Sequence, residues 1–239
     1  MALGLAGSAT AVAGWAAPSL MRARVLRSAV GPHLAGHGRP ASVALTFDDG
    51  PDPEGTPRVL DALDRLGWTA TFFMLGAQVR QYPEVATSVV AAGHEVAVHG
   101  FTHRNHITRR PGEVCQDVVR AAAVITAATG ARPTWFRPPY GVLTMGSLAA
   151  ARRAGLRPVL WTAWGRDWVA SSPAQVAEVV GRQLRPGGTV LLHDSDCTAR
   201  VVRSWQATVG VLPRLAELTD RLGCAVGPLR DHLPVNASG

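Results

Sequence analysis

An α/β fold with parallel strands is what this 239-residue sequence predicts, and three observations predict it. From Ala41 onward, seven short runs of β-forming residues alternate with six segments of helical character. Each helical segment ends at a glycine or at Pro-Gly-Gly, residues that stop helices. Ionisable residues sit directly beyond the strand runs. Alternation on this scale calls for parallel strands joined by crossover helices.

The first strand is Ser42-Val-Ala-Leu-Thr-Phe47. A helix follows from Pro57 to Leu66, with Val59, Leu60, Leu63 and Leu66 on one face at helical spacing. Pro57 suits the first turn, and Gly67 suits the position after the last. Thr69 to Leu75, rich in Thr and Phe, is the second strand. The rhythm then repeats: helix Pro83 to Ala92, Gly93, strand Glu95 to Val98; helix Gly112 to Thr129, Gly130, strand Thr134 to Phe136. It continues with helix Met145 to Ala154, Gly155, strand Arg157 to Thr162, and helix Pro173 to Leu184, Pro186-Gly187-Gly188, strand Thr189 to Leu192. Helix Ala207 to Leu222, Gly223 and strand Ala225 to Leu229 complete the series. Such a sheet closes either as an open doubly wound sheet or as a barrel. No G-x-G-x-x-G follows the first strand, so the best marker of a dinucleotide fold is missing. In both closures, chemistry gathers at the C-terminal ends of the strands.

Composition narrows the function classes. Charged residues make up 17% and hydrophobic residues 47%, which excludes a disordered chain, a coiled coil and a collagen-like fibre. The formal net charge is +7, and all 24 basic residues are arginine. The arginines are scattered, with no run longer than Arg109-Arg110 or Arg152-Arg153. No nucleic-acid motif accompanies them, so biased composition explains them and no nucleic-acid partner is expected. Cys115, Cys197 and Cys224 include no CxxC and are expected as buried free thiols.

Residues 1–40 are set apart from a folded domain at 41–230 and a tail at 231–239. Met1 to Met21 carries no charge and is followed by Arg22, Arg24 and Arg27. Its length approaches the ~20 apolar residues that span a bilayer. It is mostly Ala and Gly, however, and lacks the basic start of a signal peptide. An envelope-directed segment, associating with a membrane through residues 1–21, is the expectation; a helix packed on the domain is the alternative, and a cytoplasmic location stays open. Gly31 to Pro40 is expected as a linker.

Five strand ends carry polar groups: Asp48-Asp49; His99 and His103; Arg137 with Pro138-Pro139-Tyr140-Gly141; Asp167-Trp168; and His193-Asp194. A lone Asp in a loop is usually a turn or cap residue. Five such ends on one rim are hard to assign to caps. On a helical turn, the four-residue spacing of His99 and His103 puts both imidazoles on one side. A neighbouring carboxylate would complete two nitrogens and one oxygen, a set that suits a catalytic zinc or non-haem Fe(II). Two exposed histidines in a polar loop are the alternative, and His106 is taken as a surface residue.

Taken together, these motifs resemble the polysaccharide deacetylase family, the NodB-homology or family 4 carbohydrate esterases. The resemblance runs from about Ala41 to Leu229. It rests on Thr46-Phe-Asp-Asp-Gly-Pro51, His99-Gly-Phe-Thr-His103, Arg137-Pro-Pro-Tyr-Gly141, Asp167-Trp168 and Leu191-Leu-His193. It implies a distorted (β/α)7 barrel, TIM-like, as a single catalytic domain. It also implies one divalent metal, zinc first with Co2+, Mn2+ or Ni2+ as substitutes. The implied reaction is hydrolysis of an N-acetyl, sometimes O-acetyl, group on a glycan; a monomer and a cell-envelope location are further expectations. On the same resemblance, Asp48 is the general base and Asp49, His99 and His103 hold the metal. Arg137 orients Asp48, and the Tyr140 backbone N–H joins an oxyanion hole. His193 is the general acid, tuned by Asp167, while Leu191 and Trp168 line the acetyl pocket and groove. Gly100 departs from the family's usual Ser or Thr, and Trp164 from an acidic or amide residue. These departures put the groove and substrate in question. Cys197 is expected to be buried and inert. The rival functions are another two-His-one-Asp metal enzyme, such as an Fe(II) oxygenase, and a non-catalytic glycan-binding module.

Overall fold

A computed structural model of the chain describes residues 31–169, 172–199 and 201–233. These residues form eight parallel strands: β1 (Ser42–Asp48), β2 (Thr71–Met74), β3 (Glu95–Val98), β4 (Trp135–Phe136), β5 (Arg157–Pro158), β6 (Ala163–Trp164), β7 (Thr189–His193) and β8 (Ala225–Gly227). The helices are α1 (Pro32–Ala35), α2 (Gly55–Leu66), α3 (Gly76–Gln81), α4 (Pro83–Ala91), α5 (Pro111–Thr129), α6 (Met145–Arg153), α7 (Pro173–Gln183), α8 (Trp205–Arg221) and α9 (Leu229–His232). Single 3-10 turns lie at His106–Thr108 and Pro139–Gly141.

Strand order is β5-β4-β3-β2-β1-β7-β6, with β8 added on β1. The outermost strands, β5 and β6, are joined by residues 159–162 alone. Five Cα steps reach at most ~18 Å, whereas a flat sheet of seven strands spaced ~4.8 Å apart is ~29 Å wide. The sheet therefore curls into a distorted barrel, as the resemblance implied. The strand expected over Arg157–Thr162 is broken at this seam. Its backbone groups are taken elsewhere: Leu160 N–H donates to Leu34 O (2.8 Å), Thr162 N–H donates to Thr189 O (2.9 Å), and the Val159 and Leu160 carbonyls accept from the Arg137 guanidinium. The chain re-enters the sheet as β6, a strand that local pattern did not predict. Helix α3 was also unpredicted; its first N–H groups donate to Gly100 O and Phe101 O.

Side chains alternate between two cores. Val43, Leu45, Phe47, Phe72, Met74, Val96, Val98, Phe136, Val190 and Leu192 belong to the large cluster that the helices cover. Ala44, Phe73, Ala97 and Trp135 pack with Val159, Leu229 and Leu233 in a separate cluster, the barrel interior. Helix α9 plugs the N-terminal end of this interior. There Glu95 accepts from Thr71 Oγ1 (2.7 Å), Trp135 Nε1 (3.0 Å) and Arg230 N (3.1 Å). Burial pushes the Glu95 carboxyl above its usual range, against the pull of these donors.

Gly31 to Pro40, expected as a linker, lies against the barrel: Thr189 Oγ1 donates to Gly36 O (2.7 Å) and Gly38 N donates to Gly187 O (2.9 Å). The expected tail begins within α9, and Leu233 is buried. Among the described residues, no helix is long and apolar enough to cross a membrane. Residues 1–21, with the expectations attached to them, lie outside the described residues.

Candidate active site

The C-terminal rim of the barrel brings the polar strand ends together. Asp48 is the last residue of β1 and is flanked across the sheet by Phe73 and His193. Asp49 follows at φ 78, the left-handed region that Asp tolerates better than most residues. It is this turn that separates two carboxylates adjacent in sequence.

Asp48 Oδ1 accepts from Arg137 Nη1 at 2.6 Å. Arg137 is fully buried, yet every end of its guanidinium is engaged. It also donates to Thr46 Oγ1 (2.9 Å), Leu160 O (2.8 Å) and Val159 O (3.4 Å), and it lies 4.0 Å from the Phe73 ring centroid. Burial pulls this guanidinium below its ordinary value, and Asp48 opposes that pull. A buried ion pair holds only when its remaining donors are satisfied in this way.

Asp49 faces two imidazoles. Its Oδ1 lies 3.3 Å from His99 Nε2 and 3.5 Å from His103 Nε2, and it is buried without a hydrogen-bond partner. His99 Nδ1 is 2.9 Å from Arg137 O, so Nδ1 carries the proton and Nε2 presents its lone pair. Burial pushes His103 down to about 4, against the attraction of Asp49, and keeps it neutral at pH 7. Burial alone would raise Asp49, but His99 and His103 hold it well below the carboxylate range. One carboxylate oxygen and two imidazole nitrogens therefore converge, with ligand atoms within 4.8 Å of one another. Metal–ligand bonds of ~2.0–2.2 Å in tetrahedral geometry separate the ligand atoms by roughly 3.3–3.6 Å. The residues present fit a divalent cation. The histidines reach this position from a loop rather than a helical turn. Gly100 at φ 97 turns the chain, and Asp117 of α5 accepts from Phe101 N (2.7 Å) and Thr102 Oγ1 (2.9 Å). A Cβ at Gly100 would stand 3.0 Å from Asp117 Oδ2, which accounts for the glycine.

Opposite this cluster stands His193. Its Nδ1 is 3.0 Å from Asp167 Oδ1, and Asp167 Oδ2 accepts from His193 N (2.6 Å) and Thr208 Oγ1 (2.8 Å). Burial disfavours the imidazolium, but Asp167, reinforced by Asp49 and Asp48, overcomes it and raises His193 to about 10. A cavity of ≈ 200 Å³ joins the two halves. Asp48, Asp49, His99, His103, Tyr140, Trp168, Leu191 and His193 all line it. Arg137 and Asp167 sit behind the wall, in contact with Asp48 and His193.

Four lining residues, Gly141, Trp161, Trp164 and Thr198, were not among the expected site residues. Trp164 stacks on Trp168 (6.3 Å, 12°) and meets Trp161 edge-on (5.8 Å), so the residue that departs from the family pattern builds one aromatic wall. Two expectations are corrected. His106 is not on the surface: it is buried, its Nδ1 3.0 Å from Ser147 Oγ and its ring stacked on Phe136, and burial lowers it to about 4. Cys197 is exposed rather than buried, though its Sγ approaches Asp49 O at 3.5 Å; desolvation of the sulfur, then Asp49, push the thiol up to about 11. Cys115 is half-buried and Cys224 buried, and all three thiols are free.

Residues 35–159, more than half of the chain, match the family model described as polysaccharide deacetylase. A chitooligosaccharide deacetylase of Bradyrhizobium sp. (strain ANU 289) is 40% identical over 196 residues, 79% of this chain and 89% of that protein. A peptidoglycan-N-acetylglucosamine deacetylase of Bacillus cereus is 32% identical over 155 residues, 65% of this chain and 56% of that protein. The crystal structure of wild-type BA3943, a CE4 family pseudoenzyme from Bacillus anthracis, superposes with a TM-score of 0.74 at 27% identity, covering 82% of this chain and 66% of that one.

Proposed function

The chain belongs to the polysaccharide deacetylase family, and on that premise we propose that it hydrolyses the N-acetyl group of an N-acetylglucosamine-containing glycan of the cell envelope. One observation carries this reading: an Asp48–Arg137 pair and a His193–Asp167 pair flank the Asp49, His99 and His103 cluster across one cavity. A divalent ion held by Asp49, His99 and His103, zinc first, with Co2+, Mn2+ or Ni2+ as substitutes, supplies Lewis-acid activation of water and of the acetyl carbonyl when bound.

The protein's own residues do the rest. Arg137 holds Oδ1 of Asp48, so the other oxygen, Oδ2, 3.8 Å from His99 Nε2, is the one that takes the proton from the attacking water. Asp49 is committed to the cluster and has no oxygen to spare as a base. Tyr140 sits at φ 59, and its backbone N–H is assigned to the developing oxyanion; one such donor is typically worth about 2.7–4 kcal/mol. His193, kept protonated by Asp167, gives its proton to the departing amine. Water and amide become acetate and free amine. Leu191 and Trp168 border the acetyl group, and the Trp161–Trp164–Trp168 wall offers flat apolar faces to a sugar ring. The two relatives' names supply the substrate class, chitooligosaccharide or peptidoglycan. We read the enzyme as a monomer with residues 1–21 directing it to the envelope.

An Fe(II) oxygenase would leave the Asp48–Arg137 and His193–Asp167 pairs without use. A non-catalytic module is favoured only by the pseudoenzyme among the structural neighbours. Acetate release from N-acetylated chitooligosaccharides and from peptidoglycan distinguishes these readings. Asp48→Asn is expected to lose roughly 10²- to 10⁴-fold in kcat, and chelator should abolish activity that zinc restores. Turnover by Asp48→Asn near the wild-type rate overturns the assignment of the base.

A further inference from the structure

Beyond the residues of that mechanism, the turn after β7 reaches back over the metal cluster. Asp194 lies buried beneath it, accepting from Thr56 Oγ1 (2.5 Å), and a Cβ at Gly50 would fall 2.3 Å from its carboxylate. The turn is braced internally. Cys197 N donates to Ser195 Oγ (3.1 Å), Ala199 N to Asp196 O (2.9 Å) and Arg203 N to Asp196 Oδ2 (2.6 Å). Its tip makes two contacts with Asp49: Cys197 Sγ approaches the carbonyl, and the Thr198 hydroxyl donates to the carboxylate Oδ2.

The two oxygens of Asp49 are thus unequal. Oδ2 is occupied by Thr198; Oδ1 is buried, has no hydrogen bond and lies between the two Nε2 atoms. A carboxylate with both oxygens free can rotate or chelate a cation through both. One with Oδ2 tied down offers Oδ1 alone, already aimed. We propose that Thr198 is a positioning residue for the metal site: its hydroxyl fixes Asp49 as a one-oxygen ligand and thereby raises the affinity for the divalent ion. Hydrogen-bond partners of a metal ligand typically contribute 10- to 100-fold in metal affinity. Thr198 touches Asp49 through one donor, so the prediction turns on the hydroxyl and not on the side chain's bulk.

The proposal rests on the metal reading of Asp49, His99 and His103, and zinc binding tests the two separately. The full chain is stripped of metal, and the Zn2+ dissociation constant is measured by competition with a chromogenic chelator for wild type, Thr198→Val and Thr198→Ser. Thr198→Val keeps the shape and loses the donor; it is expected to bind zinc at least ~10-fold more weakly. Thr198→Ser keeps the donor and is expected to match wild type. The visible spectrum of the Co2+ form, which responds to coordination number, should change in Thr198→Val and not in Thr198→Ser. Wild-type affinity in Thr198→Val overturns the proposal, as does equal weakening by Val and Ser. Failure of the wild-type protein itself to bind zinc overturns the metal reading as well.

Discussion

Asp48 and Asp49 are chemically alike and covalently joined, yet their surroundings give them different work. Asp48 meets a guanidinium and Asp49 meets two imidazoles, because a left-handed turn at Asp49 swings the second carboxylate away from the first. The same logic sets the protonation of the histidines. His103 and His106 are held neutral by burial, whereas His193, also desolvated, is held charged because Asp167 touches its Nδ1. This fixes the sign of a pH effect. A general acid works while protonated, so activity falls as pH rises through the His193 pKa. Asp167→Asn removes the charge that raises this pKa. The alkaline limb of the kcat profile is therefore expected to move to lower pH by about 1–3 units, measured with a soluble acetylated oligosaccharide. An unmoved limb would separate His193 from the proton transfer to the amine.

At the level of elements, short loops do the positioning. The β3–α5 loop brings His99 and His103 together only because Gly100 adopts φ 97 and Asp117 holds the backbone beyond it. Gly100→Ala is expected to destabilise the protein by about 1–3 kcal/mol, since alanine is strained at that φ and its Cβ would crowd Asp117. For a chain of this size roughly 2–4 °C of Tm accompanies each kcal/mol, so a thermal melt should show a drop of several degrees. An unchanged melt would mean that the loop relaxes without cost. The helices were legible in sequence because their glycine stops fall at real C-termini, with Gly67 at φ 64 and Gly130 at φ 71. The seam between β5 and β6 was not legible. Pro158 is the one local breaker between Arg157 and Trp164, and the partners that complete the break, Leu34, Arg137 and Thr189, come from distant parts of the chain.

For the whole molecule, closure of the barrel depends on its two ends. The C-terminal rim is held open as a cavity by charged pairs; the other end is filled by the segment after β8. Leu229 and Leu233 are buried there, and Arg230 N satisfies Glu95. Ending the chain at Cys224 would expose the floor, lose about 3–6 kcal/mol from the two leucines alone and leave Glu95 short of a donor. That is comparable to the ~5–15 kcal/mol by which a domain is stable. The truncated chain is expected to lose its cooperative thermal transition and its near-UV circular dichroism, while a sharp melt would show the floor to be dispensable.

By itself the sequence determined the alternation of strands and helices and the positions of Asp48, Asp49, His99, His103, Arg137, Asp167 and His193 at strand ends. Both follow from local rules: periodicity marks the elements, and parallel strands must deliver their C-terminal ends to one rim. Tertiary structure alone decided which oxygen of Asp49 is left free, that Thr198 occupies the other, that His106 is buried and that Trp164 stacks on Trp168. Each of these depends on groups brought together through space or on solvent excluded by the closed barrel. A hydroxyl five residues beyond His193 carries no mark in the sequence that it will fold back onto a carboxylate 149 positions earlier.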